Sequence, residues 1–127
     1  MTKISKNYSD VAEMLGQYFD GLYNCDAPLL GHVFHPKAQL ATVSEGNLAT
    51  VDIPGWLEVV AKRESPASRK EARVDRILSI EFGSQNTASA RVQCAIGPKL
   101  FTDFLSLVLL ADGWKIMAKV YQFEPLD

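Results

Sequence analysis

A chain of 127 residues with 47% hydrophobic and 22% charged residues suits one compact domain with its own core, expected over residues 1–127, and leaves little room for a second. A formal charge of −2 and a pI near 5.7 lack the basic excess that displaces counterions from phosphate, so no nucleic-acid partner is expected. Met1 to Lys6 hold no apolar signal core, the run Leu107 to Ala111 is too short for a bilayer, and Cys25 and Cys94 lack metal or redox spacing, which together predict a soluble cytoplasmic protein with no membrane contact.

The elements begin with a helix predicted over 9–23, where Val11, Leu15, Tyr18, Phe19, Leu22 and Tyr23 recur at helical spacing behind Ser9 as N-cap. Asp26-Ala27-Pro28 starts a second, short helix carrying Leu29, Leu30, Val33 and Phe34, and Pro36 is expected to stop it. Short strands are predicted over 38–43 and 48–51 around the turn Ser44-Glu45-Gly46-Asn47. Asp52-Ile53-Pro54 then opens a third helix with Trp56, Leu57, Val59 and Val60, ending near Arg63. Residues 64–71 are polar and read as a mobile loop. Strands over 74–82 and 87–96 follow, and in the second Ala88, Ala90, Val92, Cys94 and Ile96 alternate with Ser89, Arg91 and Gln93.

The last third, Phe101 to Phe123, reads as one long β-hairpin turning at Asp112-Gly113, a dipeptide suited to positive φ. If Ala111 faces Trp114, one face carries Leu105, Leu107, Leu109, Trp114, Ile116, Ala118 and Val120. The other carries Thr102, Phe104, Ser106, Val108, Met117, Lys119, Tyr121 and Phe123, a mixture of rings and isolated polar groups that suits a pocket wall. Three helices segregated from a meander of strands predict an α+β domain, with the helices packed on the concave face of a curved antiparallel sheet around a cone-shaped cavity.

The segments Tyr18-Phe19-Asp20-Gly21-Leu22-Tyr23 with Asp26, Phe34-His35-Pro36 with Ala38, Phe101 to Leu107, and Asp112-Gly113-Trp114-Lys115-Ile116 with Lys119-Val120 resemble the nuclear transport factor 2-like superfamily. Within it the chain is similar to the putative lumazine-binding family, related to the polyketide-cyclase-like proteins. The resemblance spans nearly the whole chain and implies a cone-shaped fold, but that fold hosts isomerases, dehydratases, cyclases and binding modules alike. Ketosteroid isomerases of this superfamily use a helix-one tyrosine, a late-strand aspartate and an aspartate base after the second helix. The matching positions here are read as Tyr18, Ser106 and Thr42, so both carboxylates are missing and that isomerisation is disfavoured.

Tyr18 is expected to line the pocket by its family position, although a helix tyrosine also serves as a core ring. His32 and His35 lack a third ligand, so no metal is expected, and His35 more naturally hydrogen-bonds a carbonyl at the helix end. Lys119 among Phe104, Tyr121 and Phe123 would meet an anionic ligand, pair with a carboxylate or snorkel at the sheet end. Asp103, on the opposite face by alternation, reads as a sheet-margin residue or a member of an interstrand pair. Trp56 is a core or lid residue. The leading expectation is a cofactor-free domain holding a small hydrophobic or cyclic ligand, lumazine-like or polyketide-like, between Tyr18, Phe34, Trp56, Phe104, Tyr121 and Phe123, with Ser106 and Lys119 orienting it. One alternative is a lyase, isomerase or cyclase using His35, Lys119 or Tyr18; the other is a dimeric interaction module with a vestigial pocket. In each case the apolar hairpin face is expected to lie outside and join a homodimer.

Overall fold

The computed structural model describes residues 3–126, with side chains from residue 6 onward. Helix α1 spans Lys3–Asn24, α2 Ala27–Val33 and α3 Ile53–Lys62. The two later helices start where the sequence supplies a cap and a proline: the Asp26 carboxylate accepts from the Leu29 N–H at 3.1 Å, and Asp52 from that of Gly55 at 2.9 Å. Helix α1 buries Val11, Met14, Leu15, Tyr18, Phe19 and Leu22 along one stripe. Gly21 lets α2 close against it, because a Cβ there would sit 2.6 Å from the Leu30 side chain.

Six strands form one curved, unclosed sheet: β1 (Phe34–Ser44), β2 (Asn47–Asp52), β3 (Asp75–Phe82), β4 (Thr87–Ile96), β5 (Lys99–Leu110) and β6 (Gly113–Pro125), in the order β2-β1-β6-β5-β4-β3. The α+β cone is as expected, but the sheet is mixed. After the β1–β2 hairpin and α3 the chain restarts at the far edge, and the meander back through β4 and β5 brings β6 beside β1 in the same direction, so this pair is parallel. Helix α2 stops at Val33, and Pro36 lies inside β1. Its missing N–H falls in the interruption of the β1–β6 ladder between Phe34 and Gln39.

The final hairpin corrects the expected register. Leu110 pairs with Gly113, whose φ is +117°, so the two-residue loop is Ala111-Asp112 and Trp114 faces Leu109, not Ala111. A two-residue slip preserves the faces, but their orientation is inverted. Leu105, Leu107, Trp114 and Ile116 are at most 5% exposed and turn toward the helices, whereas Phe104 is 56% exposed and Ser106 lies beside it outside. Burying each large aliphatic side chain contributes about 1.5–3 kcal/mol, so the uniformly apolar row claims the interior. A bulge at Met117, between the Leu107–Ile116 and Ser106–Ala118 pairs, then switches β6: Ala118 and Val120 turn out, and Lys119 and Tyr121 turn in opposite Leu105 and Asp103. Among the described residues no helix is long and apolar enough to cross a membrane.

Candidate functional site

Among the described residues the buried charged side chains are Asp103, Lys115 and Lys119, and the first and last of these meet. Asp103 on β5 is fully buried, and its Oδ2 accepts the Tyr18 hydroxyl at 2.6 Å. Lys119 on β6, 6% exposed, holds its Nζ 3.8 Å from the same oxygen. That ammonium also lies over three rings, 5.3 Å from the centroid of Tyr18 and 5.1 Å from those of Trp56 and Tyr121. One element delivers each part: α1 the phenol, α3 the indole, β5 the carboxylate and β6 the ammonium with a second phenol. The bulge at Met117 lets β6 place Trp114 and Ile116 in the core and still aim Lys119 at Asp103.

Hydrogen bonding in this cluster is incomplete. Asp103 Oδ1 is buried with no partner among the described residues, and Lys119 meets its carboxylate beyond hydrogen-bond distance. A buried acceptor left unmatched costs roughly 1–3 kcal/mol, so the cluster favours a molecule that supplies a donor. Burial, reinforced by the neighbouring Asp103 charge, holds the Tyr18 phenol well above the ordinary tyrosine range, so it stays a hydrogen-bond donor. Cys94 stands close enough to feel both charges; burial first, then Asp103, pushes its thiol up to about 12, against the opposing pull of Lys119.

Of the residues expected at the site, Tyr18, Trp56, Lys119 and Tyr121 come together, and Phe34 stands behind them with its ring 5.8 Å from Tyr18 and 5.2 Å from Trp56. Phe123 lies at the rim, packed on Phe101. Phe104 and Ser106 are on the outer face and do not share a wall with Lys119, for the burial reason given above. His35 is likewise outside the cluster: it belongs to β1, and its Nδ1 accepts from the Lys37 N–H instead of serving the helix end. Lys115 does that instead, donating to the His32 carbonyl at 2.6 Å. Asp103 is the residue that sequence reasoning missed. It keeps step with Leu105 and Leu107, so an acid in phase with the buried leucines was the available signal. The late-strand carboxylate bonded to Tyr18 is Asp103, while Ser106 faces outward. Thr42 offers no base; its hydroxyl donates to the Tyr121 carbonyl at 2.6 Å. No group of three or more His, Cys, Asp or Glu residues suited to a metal occurs among the described residues.

A cavity of about 390 Å³ opens at the end of the cone, between the end of α1, the loop after α3 and the β4–β5 turn. Its floor includes Leu22 and Phe101. Leu22 is one helical turn from Tyr18, and Phe101 is two residues from Asp103 on the same face, so a single layer of side chains separates this cavity from the buried cluster.

Residues 6–122 match the family described as Putative lumazine-binding. No curated protein sequence matches the chain. Among solved structures, a nuclear transport factor 2-like protein of unknown function from Silicibacter pomeroyi superposes with a TM-score of 0.85 at 22% identity, covering 98% of this chain and 100% of its own. A second, from Shewanella baltica, has a TM-score of 0.85 at 24% identity with 98% of each chain covered. A ketosteroid isomerase-like protein from Erwinia carotovora atroseptica has a TM-score of 0.69 at 12% identity, covering 91% of this chain and 94% of that one. At these identities the likeness establishes the fold.

Proposed function

As the chain belongs to the putative lumazine-binding family, we propose that it is a small-molecule-binding domain of the nuclear transport factor 2-like fold, taking a planar, cyclic, partly polar ligand against Tyr18, Trp56, Phe101 and Tyr121. The observation that carries this reading is the unmatched buried pair one side-chain layer from the cavity at the end of the cone: among the described residues, Asp103 Oδ1 lacks a donor and Lys119 lacks an acceptor at hydrogen-bond distance. An N–H beside a C=O on one ring edge, as in a cyclic imide or lactam, satisfies both, and lumazine-like heterocycles present that edge. Polyketide-like rings supply hydroxyl and carbonyl groups in the same relation. The surrounding rings provide stacking faces at low entropy cost.

Native mass spectrometry of the purified protein, followed by thermal-shift titration with lumazine, tests this. Binding that weakens in both Asp103→Asn and Lys119→Met supports the reading; affinity unchanged in both removes this cluster from ligand recognition.

A lyase or isomerase reading has one observation in its favour, the buried Asp103 carboxylate beside the Tyr18 phenol and the Lys119 ammonium, a base with two proton donors at hand. With Thr42 bonded to backbone and His35 outside the cluster, the remaining proton acceptor is Asp103, with the Lys119 ammonium beside it as a donor. Enolisation of a bound ketone followed by deuterium exchange tests it, and exchange that survives Asp103→Asn and Lys119→Met refutes it.

The domain is further proposed to be a homodimer through the outer sheet face. Phe104, Val120, Val43 and Leu48 are 56%, 53%, 51% and 72% exposed there, and Arg91 and Glu81 beside them offer a charge pair that a two-fold axis can exchange between copies.

A further inference from the structure

The cavity at the end of the cone has a charge that the rest of the molecule does not. The chain as a whole is net negative, yet this cavity is lined by Arg63, Arg69 and Lys99 against one acid, Glu64. Its remaining walls, including Leu22, Ile96 and Phe101, are apolar. We infer that this cavity selects an anionic ligand, a carboxylate or comparable anion carried on a planar apolar body, with Arg63 as the group that reads the charge.

The three cations are not equivalent. Arg69 is already engaged, its Nε donating to Glu71 at 2.6 Å and its Nη1 to the Glu64 carbonyl at 2.8 Å. Lys99 lies with its Nζ 4.3 Å above the Phe123 ring. Arg63 follows the last turn of α3, where its backbone N–H is held by the Val60 carbonyl, and its guanidinium has no ion pair or hydrogen bond among the described residues. Both arginines line the hollow together with Cys25 and Leu22. In keeping with that placement, burial raises the pKa of the half-buried Cys25 thiol, while Arg63 and then Arg69 draw it back.

The frame around them is fixed. Glu71 ties Arg69 to the β4–β5 turn by accepting the Gly97 N–H at 2.9 Å, and Tyr23 on α1 donates to the Glu71 carbonyl at 2.6 Å. A guanidinium beside an aromatic floor discriminates a carboxylate from its neutral amide, because only the anion adds an ion pair to the hydrogen bonds it accepts.

This inference rests on the ligand-binding reading above and is separable from it. Calorimetric titration with 2-naphthoate and with its neutral analogue 2-naphthamide, at low and high salt, is the experiment. Naphthoate is expected to bind about tenfold more tightly than naphthamide at low salt, with the gap narrowing as salt rises. Arg63→Gln is expected to abolish the gap and leave naphthamide binding unchanged. Alkylation of Cys25 by N-ethylmaleimide, read by peptide mass spectrometry, should slow on adding naphthoate. Equal affinity of the two probes overturns the charge selection while leaving a ligand cavity in place. A preference that persists in Arg63→Gln overturns the assignment of Arg63, and binding of neither probe at millimolar concentration overturns the cavity as a ligand site.

Discussion

Removing the Lys119 charge without removing Asp103 should be among the most damaging single changes in the interior. At 3.8 Å, and with an effective dielectric of about 20, the pair attracts by about 4 kcal/mol, comparable to the cost of burying the two ions. The intact pair therefore contributes little net stability. Lys119→Met, which fills nearly the same space, leaves a fully buried carboxylate with one hydrogen bond, from Tyr18, and is expected to cost about 3–5 kcal/mol. That is a large share of the roughly 5–15 kcal/mol by which domains are stable. Asp103→Asn keeps an acceptor for Tyr18 and leaves the Lys119 ammonium over three rings, so its loss should be smaller, about 2 kcal/mol. The double variant removes both charges and should lose less than the sum, with a coupling of about 2 kcal/mol or more. Urea unfolding of the four proteins, with the slope monitored alongside the midpoint, measures this. Single losses that add to the double within about 0.5 kcal/mol would show that the two groups do not share their charge and would remove the pair from the site.

The Tyr18 phenol should stay protonated when the pH passes the ordinary tyrosine range of about 10, since burial and then Asp103 raise it; a 295 nm difference titration between the native protein and Tyr18→Phe should show no tyrosinate there, and the stability that Tyr18 contributes should be complete below about pH 10 and decline as the pH rises from there, because the unfolded chain ionises first. Cys94, raised to about 12, should resist Ellman's reagent at pH 8.5 until the protein is unfolded, while the half-buried Cys25 reacts slowly in the native state; rapid release of two equivalents would contradict the burial of Cys94. Phe104→Lys should convert a micromolar dimer to a monomer in sedimentation with the fold retained by circular dichroism, and an unaltered protein that sediments as a monomer refutes the outer-face dimer.

The fold was legible because its signals are local. Asp26 and Asp52 cap the helices that the sequence assigned to them, and Tyr18, Phe19 and Leu22 lie on the buried stripe of α1 that their spacing predicts. The parallel β1–β6 pair was not legible, since it joins residues some eighty positions apart and no turn records it. The hairpin was half legible: alternation groups residues correctly but does not say which face is inside. Reading the mixed row of Phe104 and Ser106 as a pocket wall set a functional impression against the larger gain from burying Leu105 and Leu107, and burial prevailed.

The bulge at Met117 connects that error to the candidate site. A strand with strict alternation that buried Trp114 and Ile116 would also bury Ala118 and Val120, leaving Lys119 and Tyr121 in solvent. One extra residue reverses the phase halfway along β6, so the half nearer the hairpin loop packs the core and the other half carries the polar interior. On β5 there is no such break, and Asp103 reaches the interior in phase with the leucines. The Lys119–Asp103 pair therefore forms where a bulged strand meets a regular one, and neither strand read alone reveals it. Nothing in the apolar packing requires an acid and an ammonium at that point. Their burial is costly and incompletely matched by hydrogen bonds, and they stand one layer from the cavity at the end of the cone. The proposed role in holding a ligand would account for both the cost and the place.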